Sequence, residues 1–172
     1  PTGTALDIID ALDPKLVVYY CIDNFSASSP VARKIRPYED RLIARSDIVF
    51  VTAKKLFDRC APLNGNVHTF PFGVSMDVYN KAIGSQPGRP ADMAAVRRPV
   101  VGYVGGVHKW VDLDLVRSLA GSNPGLSFVF VGPLQTDVSA LRQCANIHFL
   151  GQKRYEELPA YVANFDACII PY

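Results

Sequence analysis

Four short, almost wholly apolar runs in the second half of the chain limit its possible folds more than any other feature. They are RPVVGYVGG, LSFVFVGP, NIHFLG and FDACIIPY, with helical patterns between them. Runs this short and this apolar predict strands buried on both faces, hence a parallel sheet with helices on either side. Sheets of that kind bind ligands at the carboxyl ends of their strands. Gly105, Gly106, Gly132, Gly151 and Pro171 all fall at those ends.

At 172 residues the chain can be one domain or parts of two. With 49% hydrophobic and 20% charged residues it is globular. A net charge of +2 and the absence of any long basic block give no case for nucleic acid; the Arg97-Arg98 and Lys153-Arg154 pairs are isolated. Cys21, Cys60, Cys144 and Cys168 lack metal or disulfide spacing and read as buried free thiols in a reducing compartment. No apolar run approaches the ~18 residues of a membrane span, and no signal peptide pattern stands at Pro1. The expected location is cytoplasmic, with contact to the inner face of a membrane left open.

Along the first half, residues 4–11 predict a helix stopped by Asp13-Pro14. A strand follows over 15–22, a polar loop, and a helix over 33–45 with Ile35, Tyr38, Leu42 and Ile43 inward. Next come a strand over 47–51, a helix from Ala53 capped by Thr52 with Leu56 and Phe57 inward, and a strand over 66–70. Residues 80–98 are rich in Gly and Pro and read as a linker between a first lobe (1–79) and a second (99–172). The second lobe alternates strands at 100–104, 127–131, 147–150 and 167–170 with helices at 113–120, near 138–143 and at 155–164. Three strands are few for a parallel domain, and no helix covers the last strand. Both lobes are therefore expected to be incomplete, a fragment of a longer polypeptide.

The order of these pieces resembles the retaining GT-B glycosyltransferases, specifically the sugar-nucleotide-dependent family 4. In the first lobe the resemblance rests on SDIVFVTAKKLFDR and NVHTFPFGVSMDVY; in the second, on VVGYVGGVHKWVDLDLVRSLA, LSFVFVGP and NIHFLGQKRYEELPAYVANFDACIIPY. It covers nearly the whole chain and implies an α/β fold of two Rossmann-like lobes. Three departures stand out. Phe72 occupies the family's Asn position, Gly105-Gly106 replaces its Gly-Arg, and its acidic sugar-binding pair falls beyond Tyr172.

The glycine-rich turn Gly105-Gly106-Val107-His108-Lys109 lets backbone approach a diphosphate, with a helix N-terminus behind it. The resemblance places Lys109 against the leaving β-phosphate, as a catalytic cation; otherwise it is a solvated loop lysine. Trp110 either packs the helix onto the sheet or walls the donor pocket. Gly132-Pro133, Gly151-Gln152 and Tyr155 are the remaining candidates for nucleotide contact, with Gly151 and Gln152 on the base. Each has a plain structural alternative, as a strand-ending turn or a helix start. Asp23 follows the first strand, where it can accept a hydrogen bond from a sugar or acceptor hydroxyl, or close an Asx-turn on its own backbone.

His68 and His148 read as structural, and no histidine set has metal-ligand spacing. The expected donor is a nucleoside-diphosphate sugar, the acceptor a glycan, lipid or small molecule, with no cofactor and no metal. The alternatives are a sugar-nucleotide epimerase of the same architecture and a nucleotide-binding module without activity.

Overall fold

The computed structural model describes residues 2–27, 32–85 and 87–172. The chain divides into two compact units, residues 1–74 and 75–172, each with its own parallel sheet.

In the first unit α1 (Thr2–Leu12) precedes β1 (Val18–Cys21), α2 (Arg36–Arg45), β2 (Ile48–Val51), α3 (Lys54–Cys60) and β3 (Val67–Thr69). The strands lie in the order β1-β2-β3, with Val18 opposite Ile48 and Val49 opposite Val67. Cys21, Ile43, Val49, Val51, Leu56 and Cys60 form the core. Tyr38 and Phe57, expected inward, are turned outward. On α2 the residues at helical spacing are Glu39, Leu42 and Ile43, and these three are buried. Glu39 is fully buried because its carboxylate is answered on two sides. The Tyr19 hydroxyl donates to it at 2.8 Å and Arg59 Nη2 at 2.6 Å. Thr52 does not cap α3: its hydroxyl donates to the Ile22 carbonyl at 3.1 Å, tying the ends of β1 and β2 together.

The second unit begins with α4 (Met76–Ser85) and continues through β4 (Val100–Val104), α5 (Leu113–Ser122), β5 (Ser127–Val131), β6 (Ile147–Gly151), α6 (Leu158–Val162) and β7 (Ala167–Cys168). The order is β6-β5-β4-β7, all parallel. Period-2 alternation in β5 sends Phe128 and Phe130 into one core, with Tyr103, Val107 and Val116. Val129 and Val131 go into another, with Met93, Val100 and Tyr161. The prediction of burial on both faces is met in full by β5, but β1, β3 and β7 keep exposed positions.

Four further expectations need correction. Residues 80–98 are not a bare linker: α4 runs into them, and Met93 and Val96 are core residues. Asp92 accepts a hydrogen bond from the Tyr161 hydroxyl at 3.0 Å and pairs with Lys153 at 2.7 Å, which fastens this segment to α6. The helix expected near 138–143 is only a 3₁₀ turn, Leu141–Gln143, because Asp137 folds back on Ser139 N–H (2.9 Å) and starts a turn. Trp110 does not pack α5 onto the sheet; Val107 and Val111 do, and the indole is 49% exposed. Of the cysteines, Cys21 and Cys60 are buried and Cys168 is exposed, since β7 is a half-covered strand.

Candidate functional site

The carboxyl ends of β4, β5 and β6 run directly into glycine turns that continue the sheet's hydrogen bonding. Gly105 N–H donates to the Val131 carbonyl and Gly132 N–H to the Gly151 carbonyl, both at 2.9 Å. One step further, Val107 N–H donates to Pro133 O (2.9 Å) and Gln135 N–H to Val107 O (3.0 Å). Three turns far apart in sequence are thereby drawn into one surface. Gly132 has φ +150°, and a Cβ there would run into the Gly105 carbonyl, so the two turns touch only because neither carries a side chain. Gly151 has φ +71°, in the left-handed region, and ends β6.

Tyr103 holds this arrangement from below. It is buried in β4, and its hydroxyl donates to the Gly106 carbonyl at 3.0 Å and lies 3.2 Å from the Tyr172 hydroxyl. Burial and the Tyr172 contact push its pKa up to about 12. Asp112 caps α5 by accepting from Leu115 N–H at 2.9 Å, while its own N–H donates to Pro171 O at 2.8 Å. Gln135 Oε1 occupies the place a side chain at Gly106 would need. Among the described residues, the N–H groups of Gly106, Lys109 and Trp110 have no acceptor.

The predicted residues of the second unit all lie on or beside these turns. His108 and Lys109 are exposed. Lys109 Nζ sits 4.6 Å over the Trp110 ring and pairs with no carboxylate among the described residues. Pro133 contributes its carbonyl to the turn, and Gln152 is exposed after Gly151. Tyr155 opens a 3₁₀ turn and meets Tyr79 of α4 edge to face, with centroids 6.3 Å apart. Its neighbour Lys153 is engaged by Asp92 and Tyr161. Among the described residues, the turn therefore offers Lys109 without a carboxylate partner, unpaired N–H groups and close backbone access, a combination suited to a diphosphate.

Asp23 belongs to the first unit. Its Oδ1 accepts from the N–H of the next residue, Asn24, at 2.7 Å, and the side chain is exposed. The Ser26 hydroxyl donates to Asn24 Oδ1 at 2.9 Å; Ser28 and Ser29 lie outside the described residues. Sequence reasoning missed Tyr103, Asp112 and Gln135. A tyrosine inside an apolar strand needs a partner for its hydroxyl, and an Asp just before an amphipathic run is an N-cap signal, so two of the three had a readable sign.

No protein-family model matches the chain. It is 28% identical over 173 residues to TuaH of Bacillus subtilis (strain 168), provisionally named a teichuronic acid biosynthesis glycosyltransferase. That match covers 91% of this chain and 43% of TuaH. Among solved structures, Anabaena Alr3699/HepE in complex with UDP-glucose aligns with a TM-score of 0.68 at 18% identity, over 96% of this chain and 49% of that one. The fold is GT-B. Sucrose-phosphate synthase from Thermosynechococcus elongatus aligns with a TM-score of 0.60 at 16% identity, over 86% of this chain and 41% of its own. The two parallel sheets match the Rossmann-like lobes of GT-B chains, and the chain spans about half the length of the relatives it matches. In sequence as in fold, its likeness is to glycosyltransferases. Among the described residues, no helix is long and apolar enough to cross a membrane.

Proposed function

We propose that the whole protein is a retaining, family 4-like GT-B glycosyltransferase that moves a sugar, in the first instance a hexose, from a UDP-sugar to an acceptor hydroxyl. The observation that carries this reading is the glycine surface at the ends of β4–β6, with N–H groups and a Lys109 side chain that have no acceptor or carboxylate partner among the described residues. Support for the choice of nucleotide comes from HepE, whose complexes with UDP and with UDP-glucose share the fold.

In this reading the diphosphate lies on Gly105, Gly106 and the Gly132-Pro133 turn. Gly151 and Gln152 face the base, and Tyr155 borders it. As the bond from the anomeric carbon to the β-phosphate oxygen breaks, negative charge grows on the diphosphate. Lys109 and the N–H groups of the turn stabilise that charge in place, with no movement needed. The departing oxygen takes the proton of the acceptor hydroxyl, which attacks the same face of the sugar. His108 contacts the phosphates or the sugar, and Asp23 accepts a hydrogen bond from a sugar or acceptor hydroxyl once it exchanges its Asn24 partner. The acceptor is a glycan, lipid or small molecule, the donor needs no further cofactor, and the protein works in the cytoplasm, with access to the membrane face. No specific observation favours an epimerase or an inactive binding module over this reading.

The test is Lys109→Ala in the whole protein, assayed with UDP-sugars. Turnover should fall by more than tenfold, since one lost charge-stabilising donor costs about 100- to 1,000-fold in comparable sites, with thermal stability unchanged because Lys109 is exposed. A variant as fast as the wild type would remove Lys109 from the site.

A further inference from the structure

The amino ends of β4, β5 and β6 carry a second concavity, at the opposite end of the sheet from the glycine turns. It holds about 490 Å³ and is lined by Arg97, Arg98, Gly125, Ser127, Asn146 and His148, with no carboxylate in its wall among the described residues. Arg98 is engaged by Asp166 at 2.6 Å, whereas Arg97 has no carboxylate partner among the described residues. Ser127 is buried, and neither its hydroxyl nor the half-buried His148 ring makes a hydrogen bond among the described residues. Asn146 directs its amide N–H groups to the carbonyls of Ala120, Asn123 and Leu126 at 3.0–3.2 Å, which leaves its Oδ1 as an acceptor. A serine hydroxyl without a hydrogen-bond partner, on a buried residue, stands with an unpaired guanidinium and an imidazole around one hollow, a donor set in search of an acceptor.

We propose that this hollow binds a small phosphate-bearing anion. Arg97 supplies the charge and a planar fork of donors, Ser127 and His148 donate to the remaining oxygens, and Asn146 Oδ1 accepts from a hydroxyl on the rest of the molecule. Burial holds the His148 pKa below the ordinary imidazole range, and a dianion beside it would draw a proton back onto the ring. The site does not rest on the transferase reading, because its residues share nothing with the glycine turns.

Two-dimensional amide NMR on the chain, titrated separately with inorganic phosphate and with a hexose monophosphate, tests it. The expected result is a saturable shift at Arg97, Ser127 and His148 with at least one of the two ligands. Arg97→Ala and His148→Gln should each weaken it at least about tenfold, the loss of one charge-assisted contact, in variants whose spectra show the wild-type fold. Gly125→Leu is the second arm: Gly125 lines the hollow and a Cβ there clashes with nothing, so the bulky side chain adds volume at the wall without changing a charge, and it should abolish the shift. If neither ligand gives a saturable shift at these residues, or if the shift survives both Arg97→Ala and Gly125→Leu, the proposal is overturned.

Discussion

Residues 1–74 bury charge in the middle of their unit, whereas residues 75–172 keep their cores free of it and gather polar groups at the strand ends. In the first unit Glu39 is enclosed by Tyr19, Arg59 and the Cys21 thiol, and Asp40 shares Arg59 at 3.2 Å. Burial, and then the Glu39 carboxylate, push the Tyr19 hydroxyl far up, and the same carboxylate raises Arg59. Arg59 still leaves Nε and Nη1 buried without acceptors. Such a cluster ties α2, α3 and β1 together, and its two spare donors are sealed from any ligand by burial. In the second unit the candidate surface is main chain, and three glycines set its shape. The contrast separates a polar group that holds a fold from one that is free to bind.

The sharpest way to break the comparison is Glu39→Ala. It leaves the nearly buried Arg59 with Asp40, at 3.2 Å, as its remaining carboxylate, and takes the partner from the Tyr19 hydroxyl; the cost should be about 3 kcal/mol, read from urea unfolding. A cost no larger than that of a surface substitution would mean that the first unit does not depend on its buried pair. Next in size is Gly132→Ala, which forces a methyl group against the Gly105 carbonyl. It should cost on the order of 1–3 kcal/mol through backbone strain and should also weaken UDP binding by the whole protein. A loss of stability with UDP affinity unchanged would detach the glycine surface from the ligand.

The smallest expected effect concerns His148, whose pKa is lowered by burial. The unfolded chain then takes up its proton at a higher pH than the folded one. The His148 contribution is therefore complete above the ordinary imidazole range and is lost as pH falls from there through the depressed folded value. In His148→Gln that part of the decline in unfolding free energy between about pH 7 and 5 should vanish. An unaltered pH profile would show that the ring is not desolvated.

Much of the second sheet was legible in advance. LSFVFV could only be a buried strand, bounded as it is by Pro-Gly and Gly-Pro, and every residue of β5 is buried. The glycines that end the strands stood out because strand ends in such sheets are where ligands approach. The burial of Glu39 was not legible: its partner Arg59 lies 20 residues away, and no local pattern announces the pair. Met93 was hidden for the same reason, since the residues it packs with, Val129, Val131 and Tyr161, come late in the chain. Tyr38 was misplaced because Glu39 took the inward position that hydrophobicity alone gave to its neighbour.

The central claim is that nucleoside diphosphate sits on the glycine turns at the ends of β4, β5 and β6. Hydrogen–deuterium exchange of the whole protein with and without UDP measures this most directly. Slowed exchange at Gly106 and Lys109, around Gly132, and at Gly151 and Gln152 is the predicted footprint. Protection confined to other segments, or none at saturating UDP, would contradict it.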